Sequence, residues 1–250
     1  MKPEERLIVA LDVNSPDEAG RLVRELTPLG VTRFKIGLQL YTQVGPAAVE
    51  AVHKHGGQVF LDLKFHDIPN TVARAAQVAA RLGVWMMNVH IQGGSEMMRR
   101  ALASAKEEAA RSRRGAPLLV GVTVLTSLSE RDLMDLGLRK TLKDQVLYLA
   151  KLARSAGLNG IVASAQEAKV VRLAFGEDFL IVTPGIRPGG DSANILTAAV
   201  AKAKDDQQRT ASPSEAIRAG ADYLVVGRPI LEAPDPAAVA RTILQECRGS

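Results

Sequence analysis

The sequence predicts an α/β protein built as a single (β/α)8 barrel of the TIM type. Three observations point there. Short runs rich in Val, Ile and Leu recur eight times, at 7–12, 33–37, 58–64, 84–90, 118–124, 159–163, 179–183 and 223–227. Amphipathic segments with helical spacing lie between them, among them 16–26, 47–54, 69–82, 95–111, 143–155 and 214–219. The length of 250 residues matches eight such strand–helix units.

The elements follow in order. The run LIVALD ends in Asp12, and segment 16–26 opens on Pro16. RFKIG carries Lys35, and 47–54 follows Pro46 and precedes Gly56. QVFLDLK ends in Lys64, and 69–82 opens on Pro69 and stops before Gly83. VWMMNVH ends in His90 and leads to 95–111. LLVGVTV leads into Thr123–Ser127, and 143–155 precedes Gly157. NGIVA and FLIVT follow, the latter leading into Gly185-Ile186-Arg187. Segment 214–219 follows Pro213 and precedes Gly220, YLVVG leads into Arg228, and a helical pattern at 236–245 opens on Pro236. Proline suits a first helical turn and glycine a helix end. Several strand runs are continuously apolar rather than alternating, as parallel strands covered by helices require. The rival is an open doubly wound sheet, but no GxGxxG follows the first run. No linker or composition shift divides the chain, so residues 1–250 are expected to form one barrel domain. One stretch breaks the rhythm. Between Thr183 and Tyr223 a Gly- and Pro-rich start, a helical pattern at 193–204 and a polar tract at 205–212 make a long connection, expected to be functional or mobile rather than accidental.

Composition narrows the function classes. The chain is 46% hydrophobic and 24% charged, which supports a large core and argues against disorder. The lone cysteine, Cys247, excludes an intrachain disulfide and a cysteine-based zinc cluster. No run of 18 apolar residues appears, so no membrane helix is expected. The N-terminal stretch has acidic residues and no long apolar run, unlike a signal peptide, so a cytoplasmic location is expected. The formal net charge is +5. It suits a small anionic ligand or a solvated Arg-rich surface. Nucleic-acid binding is not expected: the basic residues are dispersed, densest at Arg111, Arg113 and Arg114, and no stripe of stacking aromatics accompanies them.

Active sites of such barrels lie at the C-terminal strand ends. Asp12, Lys35, Asp62 and Lys64 all fall there. Asp62 and Lys64 are two apart in a strand and share a face, with Leu61 and Leu63 on the other. Asp67 follows just before Pro69. The competing readings are a helix cap for Asp67 and a buried ion pair for Asp62 with Lys64. Lys35, Asp62, Lys64 and Asp67 together make four charges of alternating sign, which are hard to assign to packing. A lysine flanked by carboxylates keeps its proton and serves as a donor, not as a Schiff-base nucleophile. Such a donor suits a reaction that generates a carbanion. After the last two strands, Gly185–Arg187 and Gly227-Arg228 stand where barrels often hold a phosphate, although tight turns and rim arginines would look the same.

These residues together resemble the orotidine 5′-phosphate decarboxylase family. The motifs are LDV at Asp12, FKIG at Lys35, DLKFHDIPNT, NVH at His90, VLTS at Thr126, TPGIRP at Arg187, DQ at Gln207 and VVGRPI at Arg228. They run in order over nearly the whole chain. Asp62-x-Lys64-x-x-Asp67 alone belongs to a wider suprafamily, and Lys35 with the two phosphate loops makes the match specific. The resemblance implies a cofactor-independent carboxy-lyase that converts orotidine 5′-monophosphate to uridine 5′-monophosphate and carbon dioxide, the last step of pyrimidine nucleotide synthesis. It implies that Lys64 protonates C6, with Asp62, Asp67 and Lys35 completing the charge network. Asp12 and Lys35 would meet the ribose, Thr126 the pyrimidine, and Arg187, Gln207, Gly227 and Arg228 the phosphate. It also implies a homodimer in which Asp67 and Thr71 reach into the partner's site, and no metal or organic cofactor. Residues 194–204 lengthen the stretch before Gln207 relative to the family pattern, and Gln208 stands beside Gln207 as the other candidate.

Two alternatives remain. Sugar-phosphate decarboxylases and aldolases of the suprafamily use magnesium and an acidic residue on the second strand, where this chain has Lys35. A barrel that only senses a phosphate ligand would bind without turnover.

Overall fold

Residues 1–189 and 209–248 are described in the computed structural model of the chain. Eight parallel strands close in sequence order: β1 (Leu7–Ala10), β2 (Arg33–Gly37), β3 (Gln58–Phe65), β4 (Met86–His90), β5 (Leu118–Val122), β6 (Gly160–Val162), β7 (Leu180–Thr183) and β8 (Tyr223–Val226). β8 pairs with β1, so no strand edge is left open. The fold is the expected (β/α)8 barrel.

Alternation along each strand explains the continuously apolar runs. One set of side chains, including Val9, Phe34, Ile36, Val59, Leu61, Leu119, Ile161 and Leu224, packs in the shell between strands and helices. The other set, Ile8, Ala10, Phe60, Met86, Val120, Val182, Tyr223 and Val225, fills the barrel interior. Both faces are buried, so both positions of the two-residue period are apolar. The N-terminal end of the barrel is closed by Arg33. Its guanidinium lies 4.6 Å from the Trp85 ring and 5.2 Å from the Tyr223 ring. It also donates to the Glu5 carbonyl on the short helix Pro3–Arg6. That arginine belongs to the floor of the barrel, not to a ligand site.

Helices Pro16–Leu26, Pro69–Arg81, Pro213–Arg218 and Pro236–Arg248 open on the prolines that marked them. Pro46 stands one residue before helix Ala47–His53. Ser15 and Ser212 cap their helices by accepting the N–H of Glu18 and Glu215. Helices Leu38–Val44, Glu130–Asp135 and Ala165–Phe175 add to those singled out in the sequence. The last is a weak sequence signal because Leu173 within it is 78% exposed. Among the described residues no helix is long and apolar enough to cross a membrane.

Most strands are shorter than the runs that marked them, whereas β2 matches its run and β3 exceeds its run by one residue. β1 ends at Ala10, β5 at Val122 and β8 at Val226. Asp12, Thr126 and Gly227 therefore lie beyond the C-terminal ends of β1, β5 and β8. The long connection expected at 184–212 begins and ends together, since Ile186 bridges to Ala211. Gln207, Gln208 and the segment 194–204 lie outside the described residues.

Candidate active site

β3 carries the densest chemistry, and its geometry is irregular there. Phe60 and Asp62 point inward with the regular alternation. At Lys64 the backbone takes a left-handed conformation, φ 50, and the pairing of β3 with β4 shifts register between Leu61 and Phe65. A non-glycine residue in this region costs about 1–3 kcal/mol. The expected simple two-residue alternation therefore stops at Asp62, although Lys64 still faces the barrel mouth. What holds the turn is Asn88, on the inner side of β4 and fully buried. Its Oδ1 accepts the Lys64 backbone N–H at 2.8 Å, and its Nδ2 donates to Asp62 Oδ1 at 2.6 Å.

Four charged side chains then form one line. Lys64 Nζ donates to Asp62 Oδ1 at 2.7 Å. Asp62 Oδ2 lies 3.4 Å from Lys35 Nζ, which donates to Asp12 Oδ1 at 3.0 Å. The β-ladder explains the meeting, since Lys35 pairs with Ala10 on one side and Gly37 with Asp62 on the other. Lys35 and Asp62 are buried. Burial alone would lower the Lys35 pKa, but Asp62 and Asp12 outweigh it and raise the ammonium above its usual range. Burial would likewise raise Asp62, but Lys35 and Lys64, with hydrogen bonds from Lys64 and Asn88, hold its carboxyl below the usual carboxylate range. Both groups stay ionised because each neutralises the other.

This line forms one wall of a cavity of about 590 Å³, a size suited to a small-molecule ligand. Asp12, Lys35, Asp62, Lys64, Thr126, Arg187, Gly227 and Arg228 all border it. Phe60, Val122, Val162 and Val225 supply apolar surface. Arg228 opens the short helix Arg228–Leu231 directly after Gly227. The cavity therefore offers ammonium and carboxylate groups on β1–β3, and two arginines after β7 and β8.

Asp67 and Thr71 are not among the residues bordering this cavity. Both are exposed, and Asp67 Oδ1 accepts the Ile68 N–H at 2.6 Å. Asp12 takes the fourth place in the charge line instead. His90 does not border the cavity either. Its ring lies 5.3 Å from that of His66, and burial first, then His66 and Lys64, lower its pKa. Sequence reasoning gave no role to Asn88, although it lies in the NVH motif and is a polar residue inside an apolar run. It also missed the buried pair Arg209–Glu167, joined at 2.8 Å. Among the described residues no group of three or more His, Cys, Asp or Glu side chains converges to hold a metal.

Comparison with known proteins agrees with this geometry. A family model described as "Orotidine 5'-phosphate decarboxylase / HUMPS family" matches residues 5–243. A protein named orotidine 5'-phosphate decarboxylase from Moorella thermoacetica is 49% identical over 247 residues, covering 98% of this chain and 93% of that protein. One of the same name from Pseudoalteromonas translucida is 49% identical over 234 residues, covering 94% of this chain and 93% of that one. The crystal structure of orotidine 5'-phosphate decarboxylase from Lactobacillus acidophilus superposes with a TM-score of 0.81 at 33% identity, covering 97% of this chain and 99% of that one. With the family model spanning nearly the full length and such relatives on both sequence and structure, the chain belongs to the orotidine 5'-phosphate decarboxylase / HUMPS family.

Proposed function

We propose that the chain is a carboxy-lyase that converts orotidine 5′-monophosphate to uridine 5′-monophosphate and carbon dioxide. The observation that carries this is the line Asp12–Lys35–Asp62–Lys64 facing Arg187 and Arg228 across one cavity. The arginines and Gly227 take the 5′-phosphate, Asp12 and Lys35 the ribose hydroxyls, and Thr126 the pyrimidine. Gln207 adds to the phosphate end. The scissile carboxylate then sits beside Asp62 and Lys64.

The chemistry follows from these charges. The bond from C6 to the carboxylate breaks, carbon dioxide leaves, and the electron pair stays on C6. The Lys64 ammonium, held by Asp62, stabilises that pair and delivers its proton to C6. The amine left behind regains a proton from water. A substrate carboxylate about 4 Å from Asp62 would be repelled by about 4 kcal/mol at an effective dielectric near 20. Lys35 and Lys64 offset part of that. The larger contribution is the preorganised cation aimed at the developing charge. Distant phosphate binding supplies orientation at the ring. No step requires a metal or an organic cofactor.

The reading takes residues 1–250 as one barrel domain, with the connection 184–212 gripping the phosphate. The pairing of Ile186 with Ala211 supports this, because it sets the far end of the connection beside the segment Gly185–Arg187, whose Gly185 and Arg187 border the cavity. It also takes the active form as a homodimer in which Asp67 and Thr71 complete the partner's site. Their exposure, beside an Ile68 that is 67% exposed, supports that arrangement. The enzyme works in the cytoplasm on a small molecule, not on nucleic acid. Against the magnesium-dependent sugar-phosphate enzymes stands Lys35, a cation already paired to two carboxylates.

The test is loss of the orotate absorbance with orotidine 5′-monophosphate, for wild type and Lys64→Ala, with and without chelator. Turnover by wild type in chelator, almost none by Lys64→Ala, and retained nucleotide binding by both are expected. Loss of wild-type activity in chelator, or full activity of Lys64→Ala, overturns the reading.

A further inference from the structure

The cavity is built by loops that follow different strands, and one buried guanidinium touches several of them. Arg209 and Glu167 are both buried. Arg209 Nη1 donates to Glu167 Oε1 at 2.8 Å, and Nη2 donates to the Leu125 carbonyl at 2.9 Å. The other oxygen of Glu167 accepts the Ser164 hydroxyl. Two residues on from Arg209, Ala211 runs beside the segment after β7. Its carbonyl accepts the Arg187 N–H at 2.9 Å, and its N–H donates to the Gly185 carbonyl at 3.2 Å. Leu125, Thr126, Ala163, Gly185 and Arg187 all border the cavity. The loops after β5, β6 and β7 thus meet at Arg209.

We propose that Arg209, fixed by Glu167, is a positioning residue that sets the spacing between Arg187 and the Thr126 segment, and so delivers phosphate binding as orientation at the reacting ring. The proposal rests on the functional reading above, which places phosphate at Arg187 and pyrimidine at Thr126. Arg209 is not among the residues bordering the cavity. Its effect passes through the carbonyl of Leu125, next to Thr126, and through the chain that pairs with Arg187. Fold stability is a poor explanation for it. A buried ion pair can often be replaced by apolar groups of similar volume without loss of stability. What apolar groups cannot reproduce is direction: a planar guanidinium bonds a carboxylate and a carbonyl at fixed angles. A misplacement of about 1 Å in a reacting geometry can cost on the order of 10²-fold in rate.

The experiment compares kcat/KM for orotidine 5′-monophosphate with that for orotidine, which lacks the phosphate. Variants are the double replacement Arg209→Met with Glu167→Met, Arg209→Lys, and Arg187→Ala as a reference. In the double variant the phosphorylated substrate should lose on the order of 10²-fold, while orotidine loses far less and the melting temperature stays near wild type. Arg209→Lys keeps a charge against Glu167 but has no second arm for Leu125. It should fold and still lose most of the phosphate advantage, which keeps the test decisive if the double variant is unstable. Equal loss on both substrates, or no loss on either, overturns the proposal. The reference separates the two levels. If Arg187→Ala loses the phosphate advantage and the Arg209 variants keep it, only the positioning role falls. If wild type does not decarboxylate orotidine 5′-monophosphate, the functional reading falls and takes the positioning role with it.

Discussion

Asn88 holds Lys64 from behind: its amide oxygen accepts the Lys64 backbone N–H at 2.8 Å while its amide nitrogen donates to Asp62 Oδ1 at 2.6 Å. One side chain therefore fixes both the left-handed turn and the carboxylate that steadies the ammonium. Asn88→Ala removes both bonds and leaves the strained turn unsupported. The expected result is a fall in kcat on the order of 10²-fold, with a smaller change in KM, because phosphate and ribose contacts are untouched. Asn88→Asp keeps the acceptor but sets a second carboxylate against Asp62, and should do no better. Steady-state kinetics with a melting curve check this. A kcat within a factor of about two of wild type would remove Asn88 from the mechanism.

Gly37 makes room for the other half of the charge line. A Cβ there would lie 2.9 Å from Lys35 Nζ and 3.1 Å from Asp12 Oδ1. The backbone of Gly37 is extended, with φ −97, so alanine brings no conformational strain. Only the Lys35–Asp12 contact suffers. Gly37→Ala should raise KM roughly tenfold, with little change in melting temperature. A large drop in melting temperature, or an unchanged KM, would contradict this account.

The barrel was legible because its two buried strand faces leave continuous apolar runs, and because Pro16, Pro69, Pro213 and Pro236 mark helix starts. That Asp12, Lys35, Asp62 and Lys64 share one rim was legible for a topological reason, although the fourth charge grouped with Lys35, Asp62 and Lys64 in the sequence was Asp67 and in the structure is Asp12. In a closed parallel barrel every C-terminal strand end lies on one rim, so charges at the ends of the neighbouring strands β1, β2 and β3 come together. The turn at Lys64 was not legible, since a lysine gives no sign of a positive φ. Asn88 looked like any inward residue of β4. Arg209 and Glu167 are 42 positions apart, and nothing local links them. Asp67 has the family's spacing, yet in this chain it is exposed and does not border the cavity, and nothing in the spacing alone foretold that.

The densest basic cluster also has a structural use. Arg111 and Arg81 both bond the buried Glu108 carboxylate, at 2.8 and 3.1 Å, and Gln77 donates to it at 3.1 Å. These partners join helix Pro69–Arg81 to helix Ser95–Arg111. Hydrogen bonds from Arg81 and Arg111 lower the Glu108 pKa from 4.5 to about 2, despite the opposing effect of burial. A carboxyl depressed on folding adds stability above its unfolded pKa, and that stability is lost as pH falls through the folded value. Wild type should therefore lose stability between about pH 4.5 and 2 from this group. Glu108→Gln should melt lower at neutral pH and show a flatter dependence across that window. Thermal melts at a series of pH values decide it, and parallel curves would show that Glu108 does not carry the acid sensitivity.

The exposed position of Asp67 gives the sharpest test of how sites are assembled. Suppose Asp67 of one protomer completes the site that holds Lys64 of its partner. A dimer of one Lys64→Ala chain and one Asp67→Ala chain then has one site with both defects and one site with neither. Each parent homodimer carries a defect in both of its sites. Random exchange of equal amounts makes half of the dimers mixed, each with one intact site of two, so about one quarter of wild-type activity should return. The alternative, in which each chain supplies its own Asp67, makes every site defective and returns nothing. Mixing the two inactive variants, confirming subunit exchange with differently tagged chains, and assaying turnover separates the two. Ile68, beside Asp67 and 67% exposed, offers a control on the same surface. Ile68→Glu places a charge where the partner would pack, and should lower activity in proportion to the loss of dimer seen by sedimentation. Exchange with no returning activity would mean that Asp67 acts within its own chain or not at all.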